Sequence, residues 1–202
     1  MTNTKLSRLF ISACDSKTDW MKDWFCENFY KHNPDANLYM YDFDKSFTNS
    51  YGWFKKPEAM ADALRKADSI CWIDIDCEIL GNIESIWNHV QPNKLCMAED
   101  KPWTAREGVQ WHNSGVVAML RTPSILNEWR GACLRTKYNG DQEVLHALLI
   151  HPLKRLTHIQ TLPNKYNVLR LQHIDKTVPK DPLIYHWTGY KGKHHIKDLI
   201  NG

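Results

Sequence analysis

Apolar and polar positions alternate along this chain in a way that predicts short strands separated by helices. Leu6–Ala13 (LSRLFISA) reads as a strand, and Trp20–Lys31 has helical spacing with Asp19 as a candidate N-cap. Asn33-Pro34-Asp35 breaks that helix, and Leu38–Phe43 is a second strand. Phe47–Lys56 reads as an aromatic loop containing a glycine. Pro57–Ala67 is a helix with proline at its first position. The apolar run 69–75 is a buried strand, followed by a helix or turn near Ile83–His89. Leu95–Ala98 and Val116–Leu120 are further strands, Pro123–Thr136 and Asp141–Ile150 helices, and Pro182–His186 a late strand. This alternation predicts an α/β fold, a mainly parallel central sheet flanked by helices, as a single domain over residues 1–202.

Within ICWIDIDCEIL (70–80), Asp74 and Asp76 stand at the end of the most apolar strand. Carboxylates are seldom buried without compensation. Separated by one residue on an extended chain, the two point the same way. If the strand bends there, they can share a hard divalent cation that in turn holds a diphosphate. The plainer alternative is one aspartate capping a turn and one in solvent.

Composition narrows the partners. With 202 residues and a formal net charge of +3, the chain lacks the strong basic excess of a nucleic-acid binder. Charge is uneven, however: His151–Gly202 carries nine Lys/Arg against three Asp. A basic C-terminal part beside an acidic centre suits a polyanionic small ligand bridged by a metal. The six cysteines form no C-x-x-C pair, which argues against a zinc ribbon or a thioredoxin-like site. No run is long enough for a membrane span, and MTNTKLSR lacks a signal peptide's apolar core. The expectation is a soluble, cytoplasmic protein of a reducing compartment.

The segment ADSICWIDIDCEILGNI resembles the metal-binding segment of GT-A glycosyltransferases, in particular the family 8-like retaining enzymes. Four more segments follow in that family's order: Asn113-Ser114-Gly115-Val116-Val117, Gly140-Asp141-Gln142-Glu143, Leu162-Pro163-Asn164-Lys165-Tyr166-Asn167 and Ile184-Tyr185-His186-Trp187-Thr188-Gly189. The resemblance implies a GT-A fold, transfer of a hexose from a UDP-sugar to a hydroxyl of a carbohydrate acceptor, and a Mn²⁺ or Mg²⁺ ion on Asp74, Asp76 and His186. It implies donor contacts from Ala13, Asp15, Ile75, Asn113, Ser114 and Gly189. Independently of the resemblance, Lys56 precedes the Pro57 helix, where a helix N-terminus plus a lysine can assist an anion, and Arg65, two turns on, is a candidate for the donor phosphate. Asp141 falls on the donor-sugar hydroxyls, and Gln142 beside the reacting carbon, where an amide oxygen stabilises positive charge. The family continues past its glycine with a lysine followed by Pro-Trp. Here the run is Tyr190-Lys191-Gly192-Lys193-His194-His195, so Lys191 and Lys193 are both candidates for the diphosphate. The short chain is also similar to the catalytic domains of large algal-virus glycosyltransferases, which admits a virus-encoded enzyme in host cytoplasm.

Each residue has a structural alternative. His186 as a core histidine, Asp15 as an Asx turn, Asp141 as a helix N-cap, and Lys56 and Arg65 as solvated side chains all remain open. Glu99 and Asp100 either bind sugar or end a strand. Trp103 and Trp111 are either sugar platforms or core. Two other functions compete: a sugar nucleotidyltransferase, which the absence of a glycine-rich loop after the first strand disfavours, and a nucleotide-sugar or glycan-binding module without turnover.

Overall fold

The computed structural model describes residues 7–202, so Leu6, where the first strand was expected to begin, lies outside the described residues. In chain order the elements are β1 (Arg8–Cys14), α1 (Lys22–His32), β2 (Leu38–Asp42), α2 (Lys56–Ala63), β3 (Ser69–Ile73), β4 (Cys77–Ile79), β5 (Leu95–Glu99), α3 (Lys101–Glu107) and β6 (His112–Leu120). They continue with α4 (Ser124–Cys133), α5 (Asp141–Leu148), α6 (Pro152–His158), β7 (Ile159–Leu162), β8 (Val168–Leu169), α7 (Arg170–Ile174), β9 (Ile184–His186) and α8 (Gly189–Asn201).

The expected α/β architecture is present. Six strands form the central sheet in the order β2-β1-β3-β6-β5-β7, and only β6 runs against the others. Period-two alternation sorts the inner strands into two cores. Phe10, Cys71, Ile73, Cys96, Val116 and Ala118 face one side, where α1 contributes Phe25 and Phe29. Ile11, Ile70, Trp72, Leu95, Met97 and Val117 face the other, under α2, α4 and α5. Both faces are covered, which is why β3 is buried along its whole length and reads as an unbroken apolar run.

Two consequences position the chemistry. The carboxyl ends of β1, β3 and β5 lie together, and because β6 is antiparallel its first residues lie there as well. The Asp74 N–H donates to the Gly115 carbonyl at 2.7 Å. The strand order also reverses direction between β1 and β3, and such a switch opens a crevice beyond the strand ends. Secondly, a small sheet β4-β9-β8 sets Cys77 opposite His186, and Trp187 N–H donates to the Asp76 carbonyl at 3.0 Å. This brings the late histidine to the D-x-D turn.

Local details depart from expectation. Asp19 opens a 3-10 turn, Asp19–Met21, rather than capping α1, which starts at Lys22 without a side-chain cap. The helix expected to run to Ala67 ends at Ala63, where Asp62 turns to Tyr41, Arg65 and Lys66. The strand expected from Val116 starts four residues earlier, at His112.

Candidate active site

Asp74 leaves β3 into a charged cluster. Lys56 Nζ lies 3.0 Å from its Oδ1, and Trp72 Nε1 donates to the same oxygen at 2.6 Å. Lys56 is the first residue of α2, and its side chain is only 4% exposed. It also contacts the Ser114 carbonyl at 3.1 Å, the Ser114 hydroxyl at 3.2 Å and Asp141 Oδ2 at 3.3 Å. The solvated alternative for Lys56 is therefore excluded. Burial works against its charge, but Asp141 and Asp74 outweigh burial and hold its pKa above the usual value. Arg65 is the opposite case, an exposed side chain paired with Asp62.

Asp141 does not cap α5. Gly140 occupies the cap position, and Asp141 is the first helical residue. The buried Trp129 donates its indole N–H to the Asp141 carbonyl at 2.9 Å, so core packing of α4 fixes where α5 begins. The Asp141 carboxyl is buried, and burial pushes its pKa up despite Lys56. Burial likewise raises Asp100 against the donors that hold it.

Those donors form a network. Asp100 caps α3 by accepting from Trp103 N–H at 3.1 Å, and it accepts from Asn113 Nδ2 at 3.3 Å and Gln142 Nε2 at 3.2 Å. Gln142 Oε1 accepts from Asn113 Nδ2 at 2.9 Å and from Ser114 N–H at 3.1 Å. The Gln142 amide is thus locked at both ends.

His186 is buried at the end of β9, with Nε2 3.2 Å from Asp76 Oδ1 and 3.6 Å from Asp74 Oδ2. Its Nδ1 faces Asn113 Oδ1 at 3.2 Å and Asn167 Oδ1 at 3.1 Å. Asn113 Oδ1 also accepts from Gly115 N–H and from Asn167 Nδ2, each at 2.9 Å, which identifies that atom as oxygen. Two acceptors at Nδ1 place the proton there and direct Nε2 at the carboxylates, the arrangement metal-binding histidines adopt. Burial opposes a charge on this ring, but Asp76 outweighs it and raises the pKa. Asp76 is held low in turn, His186 and Lys193 prevailing over burial.

Among the described residues, Asp76, Cys77 and His186 offer ligand atoms within 4.8 Å of one another. Cys77 is fully buried, and burial raises its thiol well above the usual value, so it stays a neutral core group. The chemically suitable set is two carboxylates, Asp74 and Asp76, plus one imidazole, which fits Mn²⁺ or Mg²⁺.

The remaining expected residues fall around this centre. Ala13 lines the end of β1, and Ile75 is buried between the two aspartates. Asp15 makes the Asx turn that was its alternative, accepting from Lys17 N–H at 3.1 Å and the Thr18 hydroxyl at 2.7 Å. Gly189 opens α8 at φ +74°. Lys193 is half-buried and near enough to depress Asp76, whereas Lys191 is exposed. Sequence reasoning did not give Asn167 or Gly115 their parts. Asn167 holds the His186 ring, and a side chain at Gly115 would overlap it. A groove of about 940 Å³ adjoins the far side of Gln142, lined by Trp103, Trp111, Tyr138, His146 and Ile150, with Thr188 and Gly189 at its edge.

No protein-family model matches the chain, and no curated protein matches it. Solved structures do. The chain is similar to a glycosyltransferase involved in the glycosylation of the major capsid of PBCV-1, with 14% identity over 97% of this chain and 100% of that one and a TM-score of 0.69. It is similar to an active-site mutant of LgtC, with 12% identity over 96% and 95% and a TM-score of 0.62. It is also similar to the glycosyltransferase GlyE of Streptococcus pneumoniae TIGR4, with 16% identity over 92% of this chain and 55% of that one and a TM-score of 0.63. The chain has the fold of the GT-A glycosyltransferases.

Proposed function

We propose that this protein is a metal-dependent glycosyltransferase that moves a hexose from a UDP-sugar to a hydroxyl of a glycan acceptor with retention at the anomeric carbon, residues 1–202 serving as one catalytic domain. The observation that carries the reading is the meeting of Asp74, Asp76 and His186 at the carboxyl ends of the sheet, with His186 oriented by two asparagines. These three residues would hold Mn²⁺ or Mg²⁺, which when bound supplies charge stabilisation to a diphosphate leaving group.

The protein's own groups do the rest. Ala13, Asp15 and Ile75 border the crevice for the nucleoside. Lys193 approaches the diphosphate from α8, with Lys191 outside it. Asp141, Asn113 and Ser114 hold the donor sugar, and Gly189 leaves room beside it. The acceptor oxygen bonds to the anomeric carbon while the bond from that carbon to the diphosphate oxygen breaks, and the electron pair leaves with UDP. The acceptor proton passes to the departing phosphate on the same face. Gln142, its amide fixed by Asp100, Asn113 and Ser114, presents a preorganised dipole to the charge developing on the sugar.

The test is incubation with a panel of UDP-hexoses and Mn²⁺, following UDP release. Release that stops with EDTA and in Asp76→Ala is the expected result. Formation of UTP from a UDP-sugar and pyrophosphate would replace the reading with nucleotidyl transfer, and metal-dependent UDP binding without any turnover would reduce it to a binding module.

A further inference from the structure

Resting on that reading, we infer that Trp72 is a positioning residue of the metal centre. Its indole N–H occupies Asp74 Oδ1, so Asp74 meets a cation through Oδ2 alone, and this restriction makes the centre favour Mn²⁺ or Mg²⁺ over Ca²⁺. Residues two apart on an extended chain point the same way, so the Trp72 ring lies on the face that Asp74 shares. Trp72 is buried, and its Nε1 donates to Asp74 Oδ1 at 2.6 Å. An indole nitrogen can only donate, so this contact holds one polarity. Lys56 Nζ reaches the same oxygen at 3.0 Å. A carboxylate oxygen has about two lone-pair sites, and both on Oδ1 are then engaged. Oδ2 keeps one contact, to Lys56 at 3.2 Å, and lies 3.6 Å from His186 Nε2, on the side of the other candidate ligands.

The ring that carries this N–H is itself fixed. Phe43 stacks on Trp72 with centroids 6.0 Å apart and planes 17° apart, and Lys56 Nζ lies 5.7 Å from the Trp72 ring centroid. Phe43 is pinned where the chain leaves β2. Its N–H donates to the Cys14 carbonyl at 2.8 Å, and its carbonyl accepts from Lys55 Nζ, which also reaches the Ser46 carbonyl at 3.1 Å. Lys55 is buried, and among the described residues its ammonium meets backbone carbonyls rather than a carboxylate, so its charge holds this loop in place. A series of contacts thus runs from the loop through Phe43 and Trp72 to one oxygen of Asp74. Groups that orient a metal ligand from behind change metal affinity by roughly ten- to a hundredfold when removed. Selectivity follows from what each ion requires. Ca²⁺ takes about six to eight oxygens and gathers them through bidentate carboxylates, whereas the smaller Mg²⁺ needs about six in near-octahedral array. An aspartate that can offer one oxygen suits the smaller ion and leaves Ca²⁺ short of a ligand.

The experiment is calorimetric titration of Mn²⁺, and separately of Ca²⁺, into the protein with UDP present, on the wild type, Trp72→Phe and Phe43→Leu. Urea unfolding of each variant reports its fold, and the Mn²⁺ EPR spectrum reports the ligands around the ion. Trp72→Phe keeps an aromatic ring against Phe43 and deletes the donor. Phe43→Leu leaves the donor in place and loosens the ring that carries it. The expected result is a wild type that prefers Mn²⁺, a preference over Ca²⁺ that shrinks about tenfold in Trp72→Phe with an altered EPR spectrum, and a smaller shift of the same sign in Phe43→Leu. If Trp72→Phe does not fold, the shift in Phe43→Leu decides. An unchanged ratio of the two affinities in the folded variants, including an equal loss of both ions, would make Trp72 a packing residue only and overturn the inference, while the reading of the reaction stands. If the wild type with UDP binds no Mn²⁺, the reaction reading falls and the role of Trp72 with it.

Discussion

Gln142 stands between two regions built on opposite terms. On one side Asp74, Asp76, Asp100 and Asp141 crowd around Lys56, His186 and Lys193, and their polar atoms are bound into one another. On the other, Trp103, Tyr138 and Ile150 present open apolar surface with little to tie each to the next. The polar side is coupled, so removing one member leaves charges buried and uncompensated. The groove is modular, so removing one ring costs contact area and little else. Stability should therefore be sensitive to the polar side and nearly indifferent to the groove.

The sharpest way to break this comparison is Lys56→Met. With Asp74 and Asp141 left facing each other, unfolding by urea should show a loss of about 3–5 kcal/mol. Adding Asp141→Asn should recover part of it, and a loss under about 1 kcal/mol would mean the cluster is not coupled as described.

The next effect is acid sensitivity. Burial, with Arg155 and His146 adding to it, pushes His112 down to about 4 from its usual 6.5. Between those values the unfolded chain binds a proton that the folded chain refuses, so stability falls as pH drops through that window. His146 and His173 shift in the same direction. The loss attributable to His112 is on the order of 3 kcal/mol once pH is below the window, and His112→Gln should flatten the slope of stability against pH.

Gly115→Ala should cost roughly 1–3 kcal/mol, because the new methyl overlaps the His186 ring and displaces it from Asp76. Metal affinity should fall with it, measured by Mn²⁺ titration. The smallest stability change belongs to the groove: Trp103→Ala should stay within about 0.5 kcal/mol of wild type in the same urea assay. Equal stability losses for Lys56→Met and Trp103→Ala would erase the distinction between the two regions.

The strands around the centre were legible because they are buried on both faces and spell their burial in unbroken apolar runs, as SICWI does in β3. The short helices were not. In α3 only Pro102 is buried and in α6 only Arg155, so neither carries the apolar stripe that sequence periodicity detects. Asp100 and Pro102 were the available start signals for α3, and Pro152 for α6.

At the site, Asp74, Asp76 and His186 were readable as candidates because metal chemistry restricts residue type. The hydrogen bonds that make them a centre were not. Asn167 reaches His186 across 19 residues, and Gly115 across 71, contacts that only the pairing of β9 with β4 and β8 creates. The partners of Lys56 were hidden for a related reason. A lysine at a helix start reads as solvated, and only the fold shows two carboxylates waiting beneath it.

The account turns on whether the two acids of the β3 turn serve a cation that holds a diphosphate. Calorimetric titration of UDP, in Mn²⁺ and again in EDTA, on the wild type and on His186→Ala tests this most directly. The account predicts binding in Mn²⁺ that disappears in EDTA and in the variant. Binding of equal strength with and without metal, or undiminished in the variant, would contradict it and leave Asp74, Asp76 and His186 a structural ion-pair cluster.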